Sequence, residues 1–60
     1  MRIMRKILVA DQEEAFCLLF QGELTEEGYY VVSVSRPEAL IKAIGQENPD
    51  LLLMDTGMDE

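Results

Sequence analysis

The chain has 60 residues and a net charge of −7, with 12 acidic against 5 basic residues. It can therefore form at most one small domain, and its charge argues against direct binding to nucleic-acid phosphates. The absence of histidine excludes imidazole base catalysis and most zinc sites. The single cysteine, Cys17, excludes an intrachain disulfide and fits a reducing compartment. No apolar run is long enough to span a membrane, so we expect a soluble cytoplasmic protein.

The first predicted elements are a strand and a helix. Lys6–Ala10 contains a continuous apolar run rich in branched residues, which is typical of a strand covered on both faces. Asp11 follows the strand and is a candidate cap for a helix over about 13–27. Gly28 is expected to end that helix in the left-handed region, and Cys17 to be a partly exposed, inert thiol. The apolar stripe expected to face the core consists of Phe16, Leu19, Phe20 and Leu24.

A second strand and a second helix come next. Tyr29–Val34 is β-branched and aromatic, which predicts a strand. Ser35–Glu38 fits a capping box with proline in the first turn, and it opens a predicted helix over about 36–46. Pro49 prevents the helix from continuing. The side chains expected to point inward are those of Ala39, Leu40, Ala43 and Ile44.

The third predicted strand is Leu51–Met54, four apolar residues between Asp50 and Asp55. Periodicity alone leaves a helix open here, but the short length and the flanking residues favour a fully covered strand. The resulting β-α-β-α-β order implies a parallel sheet with right-handed crossovers. As an unpaired edge that is apolar on both faces, the third strand invites pairing with another chain. Either the sequence is a fragment of a longer protein, or two copies associate and cover each other's third strands.

Two acidic residues directly follow apolar strands, Asp11 after the first and Asp55 after the third. Ligand sites in open parallel sheets form at the carboxyl ends of strands, so these carboxylates share one crevice if the two strands are neighbours. With Glu13 or Asp59 nearby, they would form a cluster of hard oxygen ligands, which Mg²⁺ prefers. A carboxylate can also attack a phosphoryl group and form an acyl phosphate.

Four segments resemble the receiver domains of response regulators in two-component signalling. Lys6–Glu13 looks like the opening strand and acidic pocket of that family, and Glu26–Tyr29 like its turn into the second strand. Glu38–Leu40 looks like the start of its second helix, and Asn48–Asp55 like the strand that delivers the phosphoacceptor. The resemblance runs from about residue 6 to residue 58, and the order and spacing of the segments carry it.

The resemblance implies that residues 1–60 are the N-terminal half of a receiver domain, with a partial flavodoxin-like α/β fold and strand order 2-1-3. Asp55 would be the phosphoacceptor, taking a phosphoryl group from a histidine kinase or phosphotransfer protein in a phosphorelay. Mg²⁺ would be held by Asp11, Gln12 and Asp55 and by the backbone carbonyl of Gly57. Met58 matches a common methionine in the loop that follows. The chain would be a phosphoryl acceptor and not an enzyme.

Several departures from the family pattern bear on this function. Gln12 stands where a second acid is expected; its amide oxygen can ligate a cation but lacks the charge, and Glu13 is a candidate substitute. Asp59 replaces a frequent proline. The remaining two strands and three helices of the family have no counterpart, nor do its switch Ser or Thr and the lysine that contacts the phosphoryl group. We therefore do not expect the usual phosphorylation switch to be completed within this chain.

Three alternatives stay open at this point. The chain could be a pseudo-receiver, an interaction module that keeps the fold and does not use phosphate. It could be a fragment that is competent only in a longer chain or a dimer. It could also be a small α/β nucleotide or flavin binder, but it has no glycine-rich phosphate loop after the first strand.

Overall fold

The computed structural model describes residues 5–55, and these form five elements in the predicted order. The three strands are β1 (Lys6–Ala10), β2 (Tyr30–Val34) and β3 (Leu51–Met54). The two helices are α1 (Glu14–Glu26) and α2 (Pro37–Glu47). Each boundary lies within one residue of the predicted one, so the β-α-β-α-β pattern is confirmed.

The three strands form one parallel sheet in the order β2-β1-β3. Ile7 lies opposite Val31 on one side and opposite Leu51 on the other, so β1 is the central strand. Its central place explains why β1 is an unbroken apolar run, since both of its faces and both of its edges are covered. The predicted strand order and the partial flavodoxin-like fold are confirmed.

The core lies on the two faces of β1, because successive side chains of a strand point in opposite directions. On one face, Leu8 and Ala10 pack against α2; on the other, Ile7 and Val9 pack under α1. The buried partners on the helices and on β2 are Leu40 and Ala43 on the first face, and Cys17 and Val31 on the second.

The predicted inward face of α1 was wrong in three of its four members. Phe16 is 50% exposed, and Leu19 and Phe20 are also exposed, whereas Leu24 is partly buried. The helix packs on β2 and β1 and does not reach β3, so the side chains on its β3 side have no layer to enter. The residue that α1 buries in the core is Cys17.

Two predictions for α2 also differ from the structure. Ala39 and Ile44 are exposed, whereas Leu40 and Ala43 are buried as predicted. The helix begins at Pro37 with Arg36 as its N-cap and no side-chain cap, so Ser35 does not form the predicted capping box. The reason is steric, because the residue before a proline is held in the extended region and cannot be helical.

The third strand is not covered as predicted. Leu51, Leu52, Leu53 and Met54 are all exposed, and β3 is hydrogen-bonded to β1 along one edge. Among residues 5–55, no helix packs on β3. The expectation of an edge strand that is apolar on both faces is therefore confirmed, while that of a fully covered strand is wrong. The absence of a helix over β3 also explains the exposed β3 side of α1.

The end of α1 is fixed by Gly28, which has φ of +96° as the predicted left-handed stop. The Gly28 N–H donates to the Thr25 carbonyl and the Tyr29 N–H to the Leu24 carbonyl, which is the hydrogen-bond pattern of a Schellman motif. Tyr29 and Leu24 also pack against the same core cluster. This turn sets the direction in which the chain enters β2.

We expect Gly28→Ala to destabilise the fold by about 1 kcal/mol, because a Cβ is strained at this positive φ. The matched variant Gly22→Ala lies within α1, where a Cβ would meet nothing within 4 Å. It should stabilise the fold by roughly 0.5–1 kcal/mol through helix propensity. Urea unfolding followed by circular dichroism measures both changes, and equal effects of the two variants would contradict this description of the turn.

None of the helices in residues 5–55 combines the length and apolar character needed to cross a membrane.

Candidate acidic site at the carboxyl edge of the sheet

The carboxyl ends of all three strands lie at one edge of the sheet, and backbone hydrogen bonds hold the two acidic residues there. The Asp11 N–H donates to the Val34 carbonyl at 3.1 Å, and the Asp55 N–H donates to the Ala10 carbonyl at 2.9 Å. Each acid is thus tied to the end of the neighbouring strand. Because β1 and β3 are adjacent, Asp11 and Asp55 directly follow neighbouring strands.

Asp11 and Asp55 line one open cavity of about 300 Å³. Asp55 is exposed and Asp11 is half-buried, so both carboxylates can be reached from solvent. The walls that complete the cavity are apolar and come from Val9, Ala10, Phe20, Leu53 and Met54. Of the predicted site residues, the structure therefore brings Asp11 and Asp55 together.

The role of Asp11 in starting α1 differs from the prediction. The N-cap of α1 is Glu13, which makes no side-chain cap hydrogen bond. Asp11 Oδ1 instead accepts a hydrogen bond from the Glu13 backbone N–H at 3.0 Å, an Asx turn just before the helix. This bond orients the Asp11 carboxylate through the local backbone.

The other predicted ligands are either exposed or outside the described residues. Gln12 and Glu13 are exposed in the loop between Asp11 and α1. Gly57, Met58 and Asp59 lie outside the described residues. Within residues 5–55, no group of three or more acidic, histidine or cysteine side chains is placed to hold a metal ion. Within the same range, the carboxylates that line the cavity are those of Asp11 and Asp55.

Cys17 lies next to the candidate site, and the sequence did not reveal this position. It is 5% exposed, so the prediction of a partly exposed thiol was wrong. Its Sγ lies 3.3 Å from the Asp11 carbonyl oxygen and 3.6 Å from that of Val34, as a donor to both. The thiol therefore links α1 to the ends of β1 and β2. The general tendency of free cysteine to be buried was the one sequence indication of this place.

We expect iodoacetamide to modify Cys17 slowly in the folded chain and rapidly in urea. Burial raises the pKa of the Cys17 thiol, and the negative charges of Asp11 and Glu14 act in the same direction, so the folded state disfavours the reactive thiolate. The stability that the protonated thiol contributes is present below the ordinary thiol pKa. It is lost as the pH rises through the higher pKa of the folded state.

Alkylation rates measured by mass spectrometry across the alkaline range, with and without urea, test this expectation. Equal rates in the folded and unfolded chains would contradict the buried position of Cys17.

No protein-family model matches the chain. The chain is 41% identical over 51 residues to the alkaline phosphatase synthesis transcriptional regulatory protein PhoP of Bacillus subtilis (strain 168). The matched segment covers 85% of this chain and 21% of that protein, so the chain spans about a fifth of the length of this relative. This similarity supports the inference, made above from the sequence motifs, that the chain is a fragment of a response-regulator receiver domain.

Proposed function

We propose that this chain is the N-terminal half of a receiver module in two-component signalling, and that Asp55 accepts a phosphoryl group from a histidine kinase or phosphotransfer protein. The observation that carries the proposal is the shared cavity of Asp11 and Asp55 at the carboxyl edge of a parallel sheet. The similarity to a transcriptional regulatory protein supports it. The proposal includes a cytoplasmic location and no direct contact with nucleic acid or membrane.

The reaction needs little from the protein beyond an accessible, positioned carboxylate. An oxygen of Asp55 attacks the phosphorus atom of the phosphohistidine, a new P–O bond forms, and the P–N bond breaks. The imidazole of the donor keeps the electron pair of that bond and takes up a proton. The product is an acyl phosphate on Asp55. The chain is consumed in each transfer, so it acts as an acceptor and not as an enzyme.

The reaction brings several negative charges together at this site, and a cation would offset them. The incoming phosphoryl group is negative, and it approaches the carboxylates of Asp11 and Asp55. Carboxylates are hard oxygen ligands that fit Mg²⁺, which keeps several of its waters in such sites. Asp11 and Asp55 would hold the ion, with the amide oxygen of Gln12 and the carbonyl of Gly57 as neutral ligands. When bound, Mg²⁺ supplies positive charge that offsets the charge on the transferring group.

Intact mass after incubation with acetyl phosphate, with and without Mg²⁺, tests the proposal. We expect a single phosphoryl adduct that requires Mg²⁺. No adduct on folded chain would contradict phosphoryl acceptance by these 60 residues. The same incubation of a longer chain that includes them would then separate a fragment competent only in that context from a module that does not use phosphate.

The second candidate function is a pseudo-receiver, an interaction module that keeps the fold without using phosphate. One observation favours it: Gln12 stands where the receiver pattern has a second acid, and its amide oxygen lacks the charge of a carboxylate. A Mg²⁺ titration followed by amide chemical shifts separates the two functions. A competent pocket responds at Asp11 and Asp55, whereas a pseudo-receiver does not.

If the receiver function holds, we expect Gln12→Glu to lower the Mg²⁺ concentration needed for half-maximal adduct by about tenfold, equivalent to ~1.4 kcal/mol. The variant adds a charged oxygen ligand beside Asp11 in an exposed loop. Gln46→Glu is the matched control, because it adds the same charge at an exposed position near the end of α2. An equal response of both variants would show an effect of net charge alone.

A further inference from the structure

The outer edge of β2 is an open edge of the sheet. β2 stands at one end of the strand order β2-β1-β3, and among residues 5–55 no strand pairs with its outer side. In the flavodoxin-like order 2-1-3-4-5, further strands add beyond β3 and leave β2 at the edge. The outer edge of β2 therefore stays open in a longer chain of this fold, whereas β3 would become an internal strand.

The backbone groups that face this edge belong to Val31 and Ser33. The Tyr30 N–H donates to the Arg5 carbonyl, and the Val34 carbonyl also accepts a hydrogen bond from the β1 side. Residues 30, 32 and 34 thus direct their backbone groups towards β1, because these groups alternate between the two sides of a strand. Val31 and Ser33 each present one N–H and one carbonyl group outwards.

The sequence of β2 carries none of the usual protection against pairing with another chain. Its residues are Tyr-Val-Val-Ser-Val, without a charge or a proline. Edge strands of natural proteins commonly carry lysine, proline or a bulge that prevents such pairing. Aromatic and β-branched residues also favour the extended conformation. The outer edge of β2 is therefore suited to accept another strand.

The helix α1 presents an exposed leucine beside this edge. Leu18 is 70% exposed and lines, with Ser33 and Val34, an open cavity of about 220 Å³. Phe20 lies on the other side of α1, where it lines a cavity with Leu53 of β3. A layer of further elements over β3 would thus leave Leu18 exposed.

Antiparallel pairing of two β2 strands satisfies the outward groups of both copies. Where Val31 of one copy lies opposite Ser33 of the other, the two residues exchange both hydrogen bonds. With Val32 on the two-fold axis, this pair forms twice, and all outward groups of Val31 and Ser33 are used. The same register sets Tyr30 opposite Val34, and pairs of aromatic and β-branched residues stabilise antiparallel strands.

The charges at the two ends of β2 also fit an antiparallel second copy. Glu26 and Glu27 precede the strand, and the exposed Arg36 follows it. Antiparallel pairing brings Arg36 of each copy near Glu27 of the other, whereas parallel pairing would set like charges side by side. The net charge of −7 on each copy opposes association over a longer range, so we expect a weak, reversible dimer.

The helices of two copies can be accommodated in this arrangement. The helix α1 packs on both β2 and β1, and neighbouring strands lie about 4.8 Å apart. The α1 helices of the two copies would thus lie about 10 Å apart across the axis, which is the spacing of packed helices. Leu18 would be covered at their contact.

We propose that the outer edge of β2 binds a second copy of this chain, in an antiparallel dimer with one sheet running through both copies. Val32 lies on the two-fold axis, and Leu18 is buried between the α1 helices. Asp55 follows β3, at the other edge of the described sheet, so the dimer leaves it accessible. This proposal does not depend on phosphoryl transfer.

Sedimentation equilibrium of the 60-residue chain, at concentrations up to about 1 mM, tests the proposal. We expect a reversible equilibrium between monomer and dimer. Leu18→Glu should raise the dissociation constant at least about tenfold, while Phe16→Glu should leave it unchanged. The two variants add the same charge at exposed positions of α1, but Phe16 stacks on Phe20 on the β3 side of the helix.

Exchange of charges tests the antiparallel register. Arg36→Glu should weaken the dimer by about tenfold, and combining it with Glu27→Arg should restore the affinity. Lys42→Glu is the matched control, because it makes the same change of charge at an exposed position of α2. Both exchanged charges suit the helix ends they occupy, the N-cap of α2 and the C-cap of α1, so the fold is retained.

Four outcomes would overturn the proposal. A monomer at every concentration would exclude the dimer. Loss of the dimer in Phe16→Glu and not in Leu18→Glu would place the contact on the β3 side. Equal effects of Arg36→Glu and Lys42→Glu would show an effect of net charge and no antiparallel register. A dimer that is absent from a longer chain containing these residues would mean that the contact is not made at the edge of β2.

Discussion

The Asp55→Asn chain is expected to gain no phosphoryl group from acetyl phosphate under conditions in which the unmodified chain is phosphorylated. The substitution keeps the size of the side chain and the backbone hydrogen bond from residue 55 to the Ala10 carbonyl. It removes the anionic oxygen that attacks phosphorus. The loss should be complete, because no other group replaces the nucleophile. Intact mass measured at a saturating Mg²⁺ concentration gives the result.

The matched control for this variant is Glu26→Gln. Glu26 is an exposed acid in the last turn of α1. Glu26→Gln removes one negative charge, as Asp55→Asn does. This variant should form the adduct as fully as the unmodified chain. If Asp55→Asn still carries a phosphoryl group, another residue is the acceptor and the proposed site is wrong.

Leu8→Ala is expected to remove a large part of the folding stability of the chain. Leu8 is 0% exposed in the central strand, where it packs with Ala10, Leu40 and Ala43. Such a truncation costs about 2–5 kcal/mol through lost burial and a residual cavity. A domain of this size has a free energy of unfolding of roughly 3–9 kcal/mol. The loss is thus comparable with the whole stability of the fold.

Leu18→Ala is the control, because Leu18 is 70% exposed on α1. A surface substitution of this kind changes stability by less than about 0.5 kcal/mol. Urea unfolding followed by circular dichroism compares the two variants with the unmodified chain. Similar midpoints for Leu8→Ala and Leu18→Ala would mean that β1 is not the centre of the core.

The order and type of the elements were predictable because each rests on local features of the sequence. Short apolar runs between polar turns indicated the strands, and Gly28 and Pro37 marked helix ends that the structure contains. The strand order followed from the resemblance to receiver domains. The position of Asp11 and Asp55 at one edge then followed from the general place of sites in parallel sheets.

The inward face of α1 was not predictable from spacing, because apolar side chains lie on much of its circumference. Phe16, Leu18, Leu19 and Phe20 are all exposed, while Cys17 between them is buried. Which of these residues faces the core depends on where the helix lies across the sheet. It lies over β2 and β1, and this position depends on packing between elements that are distant in the sequence.

The place of Cys17 beside the candidate site could not be predicted for the same reason. Its two carbonyl partners belong to Asp11 and Val34, and the second lies 17 positions along the chain. Only the parallel pairing of β1 and β2 brings these carbonyls together. The Asx turn of Asp11, by contrast, is a local arrangement of a residue type that favours such turns.

The most direct test of phosphoryl acceptance is to identify the modified residue chemically. The chain is treated with acetyl phosphate and Mg²⁺ and then with borohydride, which reduces an acyl phosphate on aspartate to homoserine. Sequencing of the peptides by mass spectrometry then locates the product. We predict homoserine in place of Asp55 and at no other position. Homoserine in place of Asp11, a reduced glutamate at position 13, or an adduct that resists borohydride would contradict the assignment of Asp55 as the phosphoacceptor.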